Sequence, residues 1–105
     1  MTRAQIIGTG SYLPEQVVTN ADLAKIVDTT DAWIVERTGI KERRKAADHE
    51  ATSDLAVKAA RQALELARTR PEDLDLIMVG TVTPDYPFPA CGHYKAQKVT
   101  AGKAD

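Results

Sequence analysis

Residues 76–80, Leu-Ile-Met-Val-Gly, form an apolar run that no polar residue interrupts. A strand with one solvated face alternates apolar and polar side chains, whereas a strand covered on both faces does not. The run therefore predicts a strand buried on both faces of a parallel sheet. Parallel strands must be joined by a crossover segment, usually a helix, which restricts the chain to the α/β class.

A helix is predicted immediately before this run, from Asp54 to about Ala67, with Ser53 as its N-cap. Its two faces differ in chemistry, with Leu55, Ala56, Ala59, Ala60, Ala63, Leu64 and Ala67 on the inner face and Lys58, Arg61, Glu65 and Arg68 on the outer face. An earlier strand is predicted over residues 4–10. Strand, helix and strand together predict a right-handed crossover that leaves one sheet face and one strand edge uncovered.

Two shorter helices are predicted between these elements. Thr19 and Asp22 have capping-box spacing, which predicts a helix running to about Val27. Thr30 and Gly39 bound a second helix, with the only tryptophan, Trp33, at its third position. Residues 40–46 are too charged for a core, and an exposed strand or arm is expected there.

Trp33 and Arg37 lie four residues apart, so a helix places both on one face. An indole ring beside a guanidinium suits a ligand that carries a flat ring and phosphates. The alternative is that Trp33 is an ordinary packing residue and that the basic run is a solvated face. Five of the nine residues from Arg37 to Lys45 are basic in a chain of net charge -1, so the positive charge is local and favours an anionic partner.

Other features exclude several classes of function. No apolar stretch reaches the roughly 18 residues of a membrane span, and the first residues lack a signal-peptide pattern, so a cytoplasmic protein with no membrane partner is expected. The Gly8-Thr9-Gly10 loop lacks the third glycine of a dinucleotide site. One cysteine excludes an internal disulfide, and Cys91 with His93 makes neither a catalytic pair nor a metal site. No nucleic-acid partner is expected, because the basic run has no interleaved aromatics.

Four segments carry a resemblance to a known family. They are Ile6-Ile7-Gly8-Thr9-Gly10-Ser11-Tyr12-Leu13-Pro14-Glu15, Thr19-Asn20-Ala21-Asp22-Leu23, residues 30–40, and Thr81-Val82-Thr83-Pro84-Asp85-Tyr86-Pro87-Phe88-Pro89-Ala90. Their order and spacing resemble the amino-terminal part of β-ketoacyl-acyl-carrier-protein synthase III. The resemblance implies an α/β, thiolase-like fold, with residues 1–90 as an incomplete amino-terminal portion and residues 91–105 as a divergent or disordered tail.

The resemblance also implies a reaction and its participants. A cysteine takes an acetyl group from acetyl-coenzyme A, and decarboxylating malonyl-acyl carrier protein then attacks it, which initiates fatty acid biosynthesis. Coenzyme A thioester is a substrate, and no cofactor is implied. The partners are therefore acyl-coenzyme A and acyl carrier protein, and the family forms homodimers.

By the same resemblance, several residues receive roles. Trp33 matches the residue that stacks on adenine, Arg37 the one that reaches the pantetheine and phosphate portion, and Thr29 a hydrogen-bonding neighbour of the base. Phe88 matches a residue that crosses the dimer interface to shape the partner's acyl pocket. The family's cysteine, histidine and asparagine fall beyond Asp105, so no catalytic residue is assigned and the 105-residue chain alone is expected to be inactive. The alternative is a non-catalytic module for coenzyme A binding, carrier-protein binding or dimerisation.

Overall fold

The computed structural model describes residues 2–86. Their elements are β1 (Gln16–Thr19), α1 (Asn20–Ala24), α2 (Asp31–Thr38), β2 (Glu42–Lys45) and α3 (Thr52–Ala67), followed by a 3₁₀ turn at Pro71–Asp73. The chain divides into two compact units. Leu13–His49 forms the inserted unit, and residues 2–12 and 50–86 form the discontinuous unit. Phe88, Cys91, His93 and the tail at 91–105 lie outside the described residues.

The inserted unit is built on a two-stranded antiparallel ladder. β1 pairs with β2 from Gln16 opposite Lys45 to Thr19 opposite Glu42. The strand at residues 40–46 is thus confirmed, whereas β1 was not predicted from the sequence. The capping box of Thr19 and Asp22 is present, and it fixes the point at which β1 turns into α1. α1 ends at Ala24, earlier than the predicted Val27.

α3 is the main element of the discontinuous unit. Its charged outer face is exposed, as predicted. The prediction that Ser53 caps it is wrong: Ala51 is the N-cap, and Asp54 Oδ2 accepts a hydrogen bond from the Ala51 amide at 2.9 Å. Ser53 lies inside the first turn, fully buried, and its amide donates to Asp85 Oδ1 at 2.8 Å. A carboxylate 32 residues away therefore accepts from one of the free amides in the first turn of α3.

The two predicted strands, at residues 4–10 and 76–80, are wrong, because neither segment is a strand among the described residues. A strand is defined by the ladder it forms with a neighbour, and neither segment forms one here. The prediction that residues 76–80 are buried on both faces is also wrong. Leu76 and Met78 are 74% and 85% exposed, whereas Ile77 and Val79 are half-buried. Ile77, Met78 and Val79 line an apolar groove together with residues of α3.

The apolar core of the described residues is small. Only Ile34 in the inserted unit and Val57 in the discontinuous unit are buried among its hydrophobic residues. Ile6, at 83% exposed, and Val82, at 98%, show how much apolar surface stays in contact with solvent. The uncovered sheet face that was predicted is not formed, because residues 4–10 and 76–80 make no strands, but apolar side chains are exposed. No helix among residues 2–86 has the length and hydrophobicity needed to cross a bilayer.

Candidate functional site

The helix α2 presents Trp33, and local sequence signals fix both of its ends. Thr30 Oγ1 accepts a hydrogen bond from the Trp33 amide at 3.2 Å. Gly39 ends the helix in the left-handed region at φ 71°, where glycine is favoured, and its amide donates to the Val35 carbonyl at 2.8 Å. Asp31 in the first turn and Arg37 in the last turn complement the helix dipole. The predicted boundaries of this helix are confirmed.

Trp33 and Arg37 are in direct contact along α2. The guanidinium carbon of Arg37 lies 4.8 Å from the centroid of the Trp33 ring, which is a cation–π distance. Trp33 nevertheless remains 52% exposed. The arginine therefore occupies only part of the indole surface, and the remainder can receive a second flat group. Trp33 is therefore not a core residue of the inserted unit.

A groove of about 500 Å³ borders the exposed side of the indole. Its walls come from α1, from the connection to α2 and from α2 itself, and they comprise Leu23, Val27, residues 28–30, Trp33 and Ile34. The volume falls within the range of small-molecule sites, and the walls combine apolar side chains with a few polar groups. The structure brings Thr29 and Trp33 into this one groove, with Arg37 against the ring.

Thr29, which lines the groove, carries an unsatisfied polar atom. Its hydroxyl oxygen Oγ1 is buried and has no hydrogen-bond partner within residues 2–86. A buried hydroxyl without a partner is costly and is uncommon in folded proteins. Because this oxygen is shielded from solvent, a ligand in the groove reaches the Thr29 hydroxyl only after the side chain turns toward the groove.

The basic run has a more structural role than its charge suggested. Arg43 donates to the Val18 carbonyl at 3.3 Å and to Asn20 Oδ1 at 2.8 Å. Arg44 donates to the Pro14 carbonyl at 2.9 Å. These bonds help to hold the inserted unit together, and they use two of the five N–H donors of Arg43 and one of those of Arg44. The charge remains, but Arg37 is the arginine of this run that lies against the Trp33 ring.

The capping box that begins α1 has a measurable electrostatic consequence. The Thr19 amide and hydroxyl donate to the Asp22 carboxylate at 3.0 Å and 2.9 Å, and together with nearby Lys25 they lower the pKa of Asp22. Asp22 thus stays ionised at the start of the helix that contributes Leu23 to the groove. Among residues 2–86, no three His, Cys, Asp or Glu side chains converge as a metal site would require.

Sequence reasoning missed Asn20, which lies behind the groove. It is 1% exposed, and its side chain forms hydrogen bonds with three residues of the inserted unit. The available signal was its place directly after the Thr19 cap, because asparagine is a weak helix former. A weak helix former directly after the cap indicates that its side chain makes tertiary contacts.

Curated relatives match most of the chain. The β-ketoacyl-[acyl-carrier-protein] synthase III of Caldanaerobacter subterraneus subsp. tengcongensis is 63% identical over 87 residues, which is 83% of this chain and 26% of the relative. The enzyme of the same name from Thiobacillus denitrificans is 56% identical over 105 residues, which is 98% of this chain and 33% of the relative. The chain therefore spans a third or less of the length of these relatives. No family model matches it.

Solved structures also match this chain over most of its length. The 3-oxoacyl-[acyl-carrier-protein] synthase III of Aquifex aeolicus aligns at a TM-score of 0.86 and 50% identity, covering 93% of this chain and 32% of that one. The β-ketoacyl-[acyl-carrier-protein] synthase III of Thermus thermophilus aligns at 0.82 and 46% identity, covering 90% and 30%. The predicted α/β, thiolase-like class is confirmed by these alignments.

Proposed function

The chain belongs to the β-ketoacyl-[acyl-carrier-protein] synthase III family, and from this membership we propose that it supplies the coenzyme A wall of a condensing enzyme. The whole protein is an acyltransferase that condenses acetyl-coenzyme A, or another acyl-coenzyme A, with malonyl-acyl carrier protein. This reaction initiates fatty acid biosynthesis. The substrates, the carrier protein and the cytoplasmic location are part of the proposal.

One observation supports the proposal more than any other. A half-exposed indole with a guanidinium 4.8 Å from its centroid borders a groove that Thr29, whose hydroxyl is buried and unpartnered among residues 2–86, also lines. Stacking on a nucleobase stabilises complexes by roughly 1–3 kcal/mol per base. Trp33 would stack on adenine, Thr29 would form a hydrogen bond with the base, and Arg37 would pair with phosphate.

The reaction needs groups that residues 2–86 do not provide. Thioester exchange requires an activated nucleophile, and decarboxylation requires groups that stabilise an enolate and an oxyanion. The family supplies them from a cysteine, a histidine and an asparagine later in the chain. Phe88 would shape the acyl pocket of the other subunit of a homodimer. The 105-residue chain would therefore bind its ligand without turning it over.

Calorimetric titration of the 105-residue chain with coenzyme A tests the proposal. We expect saturable binding that is lost in Trp33→Ala, with the far-ultraviolet circular dichroism of the two proteins unchanged. Absence of binding by the folded wild-type chain would contradict the proposal. Steady turnover of acetyl-coenzyme A with malonyl-carrier protein by the 105-residue chain would contradict the proposal that this chain lacks the catalytic groups.

The comparisons do not favour the alternative of a separate non-catalytic module. The curated relatives and solved structures described above carry the names of synthases, and the chain covers only part of each. A binding wall within a larger enzyme accounts for the same residues without a separate function.

A further inference from the structure

Asn20 uses all of its side-chain hydrogen-bonding groups within the inserted unit. Its Nδ2 donates to Asp31 Oδ1 at 2.7 Å and to the Ile40 carbonyl at 2.8 Å. Its Oδ1 accepts from Arg43 Nη2 at 2.8 Å. An asparagine amide has two donor hydrogens and one acceptor oxygen, so each is engaged. With 1% of the residue exposed, water does not compete for these bonds.

The partners of Asn20 lie at both ends of α2. Asp31 is the first residue of that helix, and Ile40 follows the Gly39 cap directly. One side chain therefore binds the beginning of α2 and the segment just past its end. The Asn20 amide also donates to the Lys41 carbonyl at 3.2 Å, which adds a backbone bond on the same side.

Asn20 is also the first residue of α1, so it connects the two helices that line the groove. α1 contributes Leu23 to one side, and α2 contributes Trp33 and Ile34 to the other. A rotation or shift of α2 against α1 would change the width of the groove and the direction of the indole. Either movement would break the hydrogen bonds from Nδ2.

We propose that Asn20 is a positioning residue. It holds α2 against α1 and thereby fixes the distance between Leu23 on α1 and the Trp33–Arg37 pair on α2. Hydrogen bonds in a buried network reinforce one another and specify a single arrangement. Asn20 does not line the groove, so it acts on a ligand only through α2. The inference rests on the proposed function for the identity of the ligand, but not for the effect on Trp33.

Trp33 is the only tryptophan in the chain, so its fluorescence reports on α2 directly. In Asn20→Ala, we expect acrylamide quenching to rise toward that of free indole and the emission anisotropy to fall, with far-ultraviolet circular dichroism largely retained. We expect the dissociation constant for coenzyme A to rise about 10-fold, because three hydrogen bonds lose their common partner.

Val57→Ala is the matched control for general loss of stability. Val57 is 7% exposed and lies in the discontinuous unit, so its truncation destabilises the protein without touching α1 or α2. We expect it to leave the Trp33 quenching and the coenzyme A affinity of the folded fraction unchanged. If both variants changed Trp33 equally at equal folded fraction, Asn20 would be only a stabilising residue.

Asn20→Asp gives a second test that keeps the shape of the side chain. The acceptor for Arg43 remains, but a carboxylate replaces the donor nitrogen that faces the Asp31 carboxylate at 2.7 Å. Like charges at that distance repel, so we expect the mobility of Trp33 at neutral pH to match that of the alanine variant. Wild-type fluorescence in both variants would overturn the inference. If the wild-type chain bound no coenzyme A, the proposed function would fail, and the fluorescence comparison would still decide the role of Asn20.

Discussion

The guanidinium carbon of Arg37 lies 4.8 Å from the centroid of the Trp33 ring, one turn further along α2. Because the contact lies within one helix, the arginine is in place before any ligand arrives. The tryptophan still exposes 52% of its surface. The pair can therefore present a stacking surface and a phosphate-binding group at a fixed spacing, which lowers the conformational entropy lost on binding.

Removal of the arginine should weaken coenzyme A binding more than the loss of one charge would. We expect Arg37→Ala to cost about 1.5–3 kcal/mol of binding free energy, because a charged hydrogen bond to phosphate is lost and Trp33 loses the neighbour that contacts its ring. Arg37→Lys should be intermediate, since lysine keeps the charge but not the planar fork. Calorimetric titration at low and high salt measures these differences.

Lys41→Ala is the control for the arginine series. Lys41 is an exposed cation of the same basic run, so its loss changes the net charge equally. We expect a small effect that disappears at high salt. Equal losses in Lys41→Ala and Arg37→Ala would mean that the positive field alone attracts the ligand.

Substitution of Thr29 should change stability and binding in opposite directions. Thr29→Val replaces the buried, unpartnered hydroxyl with a methyl group of similar volume. We expect the free energy of unfolding to rise by about 1 kcal/mol, because an unsatisfied polar atom is removed. Coenzyme A affinity should fall, because the ligand loses its hydrogen-bonding partner. Urea unfolding and titration of the same sample measure both quantities.

Thr29→Ser tests whether the hydroxyl is responsible. Serine keeps the oxygen, so it should retain more of the affinity than valine does and should not gain stability. A valine variant that binds coenzyme A as tightly as wild type would remove Thr29 from the site.

Local signals made the helices of the inserted unit predictable from sequence. The Thr19–Asp22 box, the Thr30 cap and the Gly39 terminus each act within a few residues, and each is present in the structure. The pairing of Trp33 with Arg37 followed from helical spacing alone. These features depend on chemistry that a short segment contains in full.

Features that depend on distant partners were not predictable. Asp85 Oδ1 is the acceptor for the Ser53 amide across 32 residues, so no local pattern could identify it. Residues 76–80 have the composition of a fully buried strand, but a strand requires a neighbour that the described residues do not supply. The role of Asn20 was missed for the same reason, since its side-chain partners are 11 to 23 residues away.

Gly8 lies so close to α3 that a side chain should not fit there. An added Cβ would lie 2.5 Å from the Ala63 carbonyl oxygen and 2.9 Å from the Ala67 Cβ. We expect Gly8→Ala to lower the free energy of unfolding by about 1–3 kcal/mol, because the segment must move off the helix. Gly80→Ala is the control, because a Cβ there would meet no described atom within 4 Å. Equal unfolding midpoints for the two variants would contradict the close packing of Gly8 on α3.

Asp22 should make the stability of the inserted unit depend on pH. Hydrogen bonds from Thr19 lower the pKa of the folded carboxyl below its ordinary 3.8, so folding favours the ionised form. The stabilisation is present in full above pH 3.8 and is lost as the pH falls through the lower, folded value. We expect the wild type to exceed Asp22→Asn in urea stability at neutral pH, with the difference shrinking below pH 3.8. A constant difference across this range would contradict the linkage.

The proposed coenzyme A site depends above all on the stacking of Trp33 on the adenine end of the ligand. The most direct measurement is the fluorescence of this single tryptophan during titration with coenzyme A, with 3′-phospho-ADP and with pantetheine in separate experiments. We expect saturable quenching by coenzyme A and by 3′-phospho-ADP, and no quenching by pantetheine, which has no ring to stack. Emission that stays constant through a coenzyme A titration of the folded chain would contradict the claim.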